Sequence, residues 1–328
     1  MRYRPFGSTG LLISELVFGG GAVGGILIRA DDDTRREAIR RALAGGVNWI
    51  DTAASYGDGR SEEALGWLLR EVEESPYVST KFTIDPGRRE DIGGQLERSL
   101  HASLERLQRD RVDLLQLHNP VMPETGRRSL GVAEILGSGG VADSLDRMVE
   151  QGLTGHVGFT ALGDPGACRQ VIESGRFASA QVYHNLLNPS AGRAMPPGWS
   201  GFDFENLIES CAERGMAVLN IRVLAAGVIA TDRRHGREGG LFPGADVETD
   251  ERRTAAVFAE LKDRYGTRAQ TAIRYALANQ PVSGVLVGIA ELEQVDEALG
   301  AVELGPLPED ALTLLDTLYA GDFGLTDG

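Results

Sequence analysis

Short apolar runs of strand length recur along the chain, separated by stretches whose apolar residues return every three or four positions. The runs predict eight strands: Leu16–Phe18, Val47–Asp51, Tyr77–Lys81, Val112–His118, His156–Thr160, Ala180–Asn185, Ala217–Ile221 and Val285–Val287. The stretches between them predict helices at Asp33–Ala44, Ser61–Leu69, Glu90–Leu107, Asp143–Gln151, Pro165–Ser174, Phe204–Arg214, Glu251–Tyr265 and Thr267–Asn279, and two shorter ones near Leu292–Leu299 and Glu309–Tyr319. Capping boxes open the first at Thr34 to Glu37 and another at Thr267 to Gln270, and glycines such as Gly45, Gly152 and Gly215 stop several. Phe6 to Ile13, with Gly7, Ser8, Thr9 and Gly10 between apolar neighbours, predicts a short hairpin before the first strand.

Strands this short and apolar, each followed by a helix, are buried on both faces and therefore parallel. Eight such units imply an α/β fold, a (β/α)8 TIM barrel with an N-terminal β-hairpin, whose strand C-termini share one rim. No composition shift or linker divides the chain, so residues 1–328 are expected to form one domain, with Pro120 to Gly140 and Ala225 to Asp250 as loops over that rim. Gly19 to Gly25 reads GGGAVGG and formally matches the dinucleotide fingerprint. No helix is expected directly after it, however, which favours a glycine loop over a Rossmann-type ligand turn.

Composition narrows the partners. A net charge of -15 disfavours a sequence-independent grip on nucleic acid or an anionic membrane, since both need a basic face. Cys168 and Cys211 lack metal-type spacing, and neither a leader-like N-terminus nor an apolar run of about eighteen residues is present, so a cytoplasmic protein is expected. Of the 33 lysines and arginines only Lys81 and Lys262 are lysine. Where arginine is so strongly preferred, a lysine at a strand end draws attention, because an ammonium is a compact charge that a guanidinium cannot replace.

Four ionisable residues stand at or just after three consecutive strand ends: Asp51 and Tyr56, then Lys81, then His118. Singly each has a plain reading, as a helix cap, a loop packer, a solvated strand end and a satisfied core histidine. Together on neighbouring strands they suit proton transfer to a carbonyl oxygen. A phenol is too weak an acid to act readily near neutrality, but an adjacent ammonium stabilises its phenolate. Lys81 would supply that charge, Asp51 would hold Lys81 protonated, and His118 could polarise the carbonyl. With no nucleophilic serine or cysteine and no metal cluster in the set, what reaches the carbonyl carbon must come from a cofactor, and a nicotinamide hydride is the simplest candidate.

These residues resemble the aldo-keto reductases over nearly the whole chain. The match lies in NWIDTAASYG at Asn48 to Gly57, STKF at Ser79 to Phe82 and LLQLHNP at Leu114 to Pro120, supported by GHVGFT at Gly155 to Thr160, QVYHNLLN at Gln181 to Asn188 and the opening RPFGSTGLLIS. The resemblance implies a tetrad of Asp51, Tyr56, Lys81 and His118, with the tyrosine as general acid in reduction and general base in oxidation. It also implies NADP(H) or NAD(H) extended across the strand C-termini, on Gly20, Thr160, Gln181, Arg222, Leu224, Ala226, Gly288 and Gln294. The substrate class implied is a small aldehyde, ketone or sugar. The phrase IRVLAAG at Ile221 to Gly227 is more similar to the bacterial aldose dehydrogenase branch (threo-aldose, L-fucose or L-galactose type) than to the vertebrate aldose reductases.

The departures are informative. Thr160 and Ala161 stand where many members carry Ser-Asn against the nicotinamide carboxamide, leaving more to Gln181. Ile221 replaces the usual stacking aromatic, and Arg222 a serine; a cation there would meet the pyrophosphate or an anionic substrate, or else form a surface salt bridge. Members that prefer NADP place Lys or Arg after the last strand, to pair with the 2′-phosphate. Val285 to Gly300 instead carries Glu291, Glu293, Asp296 and Glu297, so its charge favours NAD although the family favours NADP, unless Arg233, Arg234 and Arg237 compensate.

Two other functions fit parts of the pattern. A metal-dependent TIM-barrel hydrolase would use His118 and His184, but it needs a ligand cluster beginning at the first strand, which here ends in glycines. A catalytically silent nicotinamide-binding subunit, like the β subunits of potassium channels, would keep the fold without turnover.

Overall fold

A computed structural model describes residues 1–325 of the 328-residue chain. The strands are β1 (Leu16–Gly19), β2 (Trp49–Asp51), β3 (Tyr77–Phe82), β4 (Val112–Leu117), β5 (Thr154–Ala161), β6 (Ser179–Tyr183), β7 (Ala217–Ile221) and β8 (Val282–Gly288). Each pairs in parallel with its neighbours in sequence, and β8 pairs with β1, so the sheet closes into the (β/α)8 barrel that the pattern implies. Closure leaves no barrel strand with an unpaired edge among the described residues. The register aligns Asp51 with Ser79, Lys81 with Gln116, and Gln116 with Gly158, which sets polar side chains of adjacent strands at matching heights.

The hairpin of Tyr3–Pro5 and Leu12–Ser14 closes the N-terminal end. Its Phe6 is fully buried, with its ring 4.6 Å from that of Trp49, and packs with Ile13, Val17, Leu114 and Leu219. Burying a side chain of this size is worth roughly 1.5–3 kcal/mol. Gly7 has φ 53, and a Cβ there would lie 2.5 Å from Ala217 N, so only glycine lets the hairpin sit this close. The main core fills the space between the barrel and its helices.

Several element ends differ from the periodicity. The helix Asp32–Ala44 is capped by Asp31, whose side chain accepts from the Thr34 amide at 2.9 Å; the box at Thr34 to Glu37 is not the cap, because an earlier carboxylate already serves. The box at Thr267 and Gln270 does form, opening Arg268–Ala278. A 3-10 turn, Pro86–Asp91, precedes the helix Ile92–Leu107. The helix expected at Glu251 begins at Val247, since Asp246 caps the Thr249 amide at 2.8 Å, and it ends at Leu261. A four-residue helix, Ile26–Arg29, does follow the glycine run, capped by Gly25 in the left-handed region, so that stretch is not an open loop.

The long segments lie after β4 and β7. The first holds a small parallel pair, Val121–Met122 with Leu130–Gly131, and the helix Val132–Leu136. The second is pinned by Phe242, whose ring packs edge-on to Tyr183 and Phe204 and near Phe202. Among the described residues no helix is long and apolar enough to cross a membrane. Of the tail beyond Ala320, the last three positions lie outside the described residues.

Candidate active site

Asp51 ends β2 and points into the barrel, where almost nothing of it meets solvent (1% exposed). Four donors converge on its carboxylate. Oδ1 accepts from Ser79 Oγ at 2.7 Å, from Gln181 Nε2 at 2.8 Å and from Gln116 Nε2 at 3.2 Å, while Oδ2 accepts from Lys81 Nζ. The Ser79 hydroxyl in turn accepts from Trp49 Nε1 at 2.9 Å. Lys81 is as deeply buried as its partner and is no solvated strand end. Its ammonium also donates to the Thr52 carbonyl at 2.8 Å and to the Tyr56 phenol oxygen at 3.3 Å. Burial, the largest single influence, pushes the Lys81 ammonium down, but the charges and hydrogen bonds of Asp51 and Tyr56 together outweigh it and the net shift is upward, so the lysine is charged.

His118 follows β4, its ring 5.8 Å from that of Tyr56 and nearly perpendicular to it. Burial, with the Lys81 charge adding to it, pushes the imidazole down to about 3. At neutral pH the ring is therefore uncharged, and its one N–H can be donated to a ligand oxygen. A phenol backed by an ammonium and flanked by a neutral imidazole can give a proton to, or take one from, an oxygen placed between them.

Asp51, Tyr56 and His118 border a cavity of about 350 Å³ at the C-terminal rim. It runs past Thr160, Gln181, Ile221 and Arg222 to Leu224, Ala226 and Gly227, and on to Gly288, Gln294 and Glu297. The wall after β7 is backbone held in unusual shape: Arg222, Ala225 and Ala226 have φ of 59, 45 and 58, a region that costs energy without glycine. Such strain is often found where backbone must face a ligand.

Residues 15–320 match the sequence pattern of the aldo/keto reductase family. The chain belongs to this family. It is thus an oxidoreductase of a family that uses NAD(P)H. L-galactose dehydrogenase of Arabidopsis thaliana is 28% identical over 327 residues, 95% of this chain and 91% of that protein. L-glyceraldehyde 3-phosphate reductase of Escherichia coli (strain K12) is 27% identical, over 92% and 88% of the two chains. Among solved structures, the holo form of aldo-keto reductase AKR11C1 from Bacillus halodurans superimposes with a TM-score of 0.75 at 21% identity, covering 97% of this chain and 96% of the other. The glycerol dehydrogenase AKR11B4 from Gluconobacter oxydans gives 0.73 at 21% identity over 99% and 97%.

Most positions that the aldo-keto reductase pattern singles out in the sequence lie on this one cavity, with two exceptions. Lys81 lies beneath the cavity and meets it through Tyr56. Gly20 does not face it: its amide donates to the Asp51 carbonyl, its carbonyl accepts from Ser61 Oγ, and a Cβ would lie 2.7 Å from that hydroxyl. The next residues, Gly21 to Gly24, line the cavity instead, because the chain turns outward only after Gly20. Gln181 is less free than its position suggests, since its amide nitrogen is committed to Asp51. Arg222 forms no surface salt bridge among the described residues; Nη1 donates to the Gly239 carbonyl at 3.2 Å. Arg237 lines the cavity and donates from Nε to the Val23 carbonyl at 3.2 Å, whereas Arg234 is taken up by Glu251 at 2.6 Å. His184 is not on the cavity but buried against Tyr275, ring to ring at 5.2 Å.

Sequence reasoning passed over Ser79 and Gln116. The signal was present: Ser79 lies two residues before Lys81 on one strand, and Gln116 two residues before His118, which directly follows its strand, so period-two alternation turns each toward the tetrad.

Proposed function

We propose that this aldo-keto reductase catalyses reversible hydride transfer between a nicotinamide dinucleotide and the carbonyl carbon of a small aldehyde, ketone or sugar, with Tyr56 handling the proton. The observation that carries the reading is the hydrogen bond from the buried Lys81 ammonium to the Tyr56 phenol, at the wall of a cavity shared with His118. In reduction a hydride adds to the carbonyl carbon and the Tyr56 proton to its oxygen, giving an alcohol; oxidation of an alcohol or sugar hemiacetal is the reverse. Lys81 stabilises the phenolate left behind, Asp51 keeps Lys81 in place, and neutral His118 donates to the substrate oxygen. The bound dinucleotide supplies or accepts the hydride.

Its fit rests on the length and lining of the cavity. Thr160 and Gln181 would face the nicotinamide, Arg222, Leu224 and Ala226 the pyrophosphate, and Gly288 and Gln294 the adenosine. On the stretch from Gly288 to Ala298 the cavity lining offers Gln294 and Glu297 and no cation. A 2′-phosphate needs cationic partners and would be repelled by Glu297, so we assign NAD(H) as the preferred cofactor. Arg237, already donating to Val23, is among the described residues the one cavity-lining arginine besides Arg222.

The names of the relatives, a galactose dehydrogenase and a glyceraldehyde phosphate reductase, support sugars and sugar aldehydes as the substrate class and the aldose dehydrogenase branch as the nearest in kind. Two buried, unpaired cysteines suit a reducing cytoplasm, and the closed barrel suits one working domain.

Titration of the purified protein with NADH and NADPH, followed by turnover with sugar aldehydes, tests the reading. NADH is expected to bind more tightly, and Tyr56→Phe to lose turnover by about a hundredfold or more while still binding cofactor. Full turnover in the phenylalanine variant would overturn the assignment of Tyr56.

A further inference from the structure

Three side chains besides Lys81 donate to Asp51, and two of them have evident reasons to be where they are. Ser79 also accepts from Trp49 Nε1 and so satisfies a buried indole, and Gln181 lines the cavity. Gln116 has neither reason. It is fully buried on β4, level with Lys81, between Leu115 and Leu117, and it does not touch the cavity. Its Nε2 reaches Asp51 Oδ1 at 3.2 Å, and its Oε1 accepts from no protein group among the described residues. The reverse amide orientation would turn the oxygen toward a carboxylate, so the donor assignment follows from charge.

A buried amide with one half unpaired is a cost that an aliphatic side chain of the same size would avoid. The neighbouring strand makes room for it: a Cβ on Gly158 would lie 3.2 Å from Gln116 Cγ and 2.3 Å from Ser179 Oγ. Packing alone therefore does not call for glutamine at this site.

We propose that Gln116 is a positioning residue for the proton-transfer chemistry, acting on Tyr56 through Asp51 and Lys81. Its N–H helps fix the Asp51 carboxylate and draws part of its charge to Oδ1, away from the oxygen that pairs with Lys81. The ammonium then keeps more of its field for the phenol. Without this donor, Asp51 neutralises Lys81 more completely and Tyr56 holds its proton more tightly. Gln116 meets Asp51 and stands in register with Lys81, while Tyr56 is faced by Lys81, by the His118 ring and by the Arg222 charge; on the β5 and β6 side of Gln116, Gly158, Ser179 and Gln181 carry no charge. His118, neutral down to about 3, contributes no titration in the working range.

This inference rests on the acid–base role of Tyr56, and the test separates the two. Wild type, Gln116→Met, Gln116→Glu and Tyr56→Phe are compared in NADH-dependent reduction of 4-nitrobenzaldehyde across pH, with melting temperature and NADH affinity measured in parallel. Methionine matches the volume of glutamine without a donor. Gln116→Met is expected to melt no lower than wild type and to bind NADH within about twofold, while kcat/KM falls about tenfold and the alkaline limb of its pH profile moves up by about one unit. Gln116→Glu, which adds charge beside Asp51, is expected to move that limb further and provides the test if the methionine variant folds poorly. A limb that stays at the wild-type pH in both variants, whatever the plateau, would refute the role of Gln116. Wild-type activity in Tyr56→Phe would instead remove the acid–base reading on which it stands.

Discussion

The ammonium of Lys81 donates to the phenol oxygen of Tyr56 at 3.3 Å while its other two donors are held by Asp51 and the Thr52 carbonyl. All three N–H groups of a fully buried lysine are thereby spent, and its direction is set by acceptors on β2 and the turn that follows. The geometry makes Lys81 a fixed charge beneath a phenol that borders the cavity.

Removing one partner of this buried pair separates stability from chemistry. Lys81→Met leaves the Asp51 carboxylate uncompensated and is expected to lower unfolding free energy by about 3–5 kcal/mol. The double variant Asp51→Asn with Lys81→Met should regain most of that loss in urea denaturation. Its turnover should stay depressed by about a hundredfold or more, because neither change restores the charge beside Tyr56.

Cofactor choice should respond to one side chain. Gln294 lines the cavity beyond β8, the end proposed above for the adenosine, with Oε1 accepting from the Ala290 amide at 2.8 Å. Gln294→Arg places a guanidinium there and is expected to shift the ratio of NADPH to NADH affinity by about tenfold toward NADPH. Fluorescence titration of both dinucleotides measures it; an unchanged ratio would locate the discrimination on the loop after β7.

Acid should destabilise the fold through His184. This ring is buried, and desolvation pushes it down to about 4 from an ordinary value of 6.5. A base depressed in the folded state contributes stability that is fully present above the unfolded value and lost as pH falls toward the folded one. At pH 5 the unfolded chain has taken up a proton that the fold refuses, a difference of about 2 kcal/mol. His184→Gln should lose that much less stability than wild type between pH 7 and pH 5, measured by urea midpoints at each pH.

The glycine loop after β1 is packed tightly where it lines the cavity. A Cβ on Gly24 would fall 2.5 Å from Ile289 N and 2.6 Å from Ile289 O, backbone atoms that cannot swing aside. Gly24→Ala is expected to cost about 1–3 kcal/mol and to weaken NADH binding, since the loop must lift from the end of β8. Gly239→Ala, which meets nothing within 4 Å, should be neutral by comparison.

Much of this arrangement was legible in the chain. Eight apolar runs alternating with amphipathic stretches imply a closed parallel sheet, and the strand-end positions of Asp51, Tyr56, Lys81 and His118 follow from that alternation alone. The reason is local: burial on both faces shows in composition, and a strand's end shows where the apolar run stops. Helix ends were less legible. Asp31 and Asp246 cap earlier than periodicity suggests, because a cap is decided by one hydrogen bond rather than by a repeating pattern.

Only the tertiary structure decided what each polar residue does with its hydrogen bonds. Gly20 and Gly21 are adjacent and alike in sequence, yet one is packed under Ser61 and the other opens on the cavity. Gln116 and Gln181 are both strand glutamines, and only barrel closure brings them to the same Asp51 oxygen from strands 65 and 130 residues away. The sequence determined the fold class and which strand ends carry chemistry, since both are written in burial and spacing. Distances across a closed barrel depend on register and curvature summed over all eight strands, and no single stretch of sequence encodes that sum.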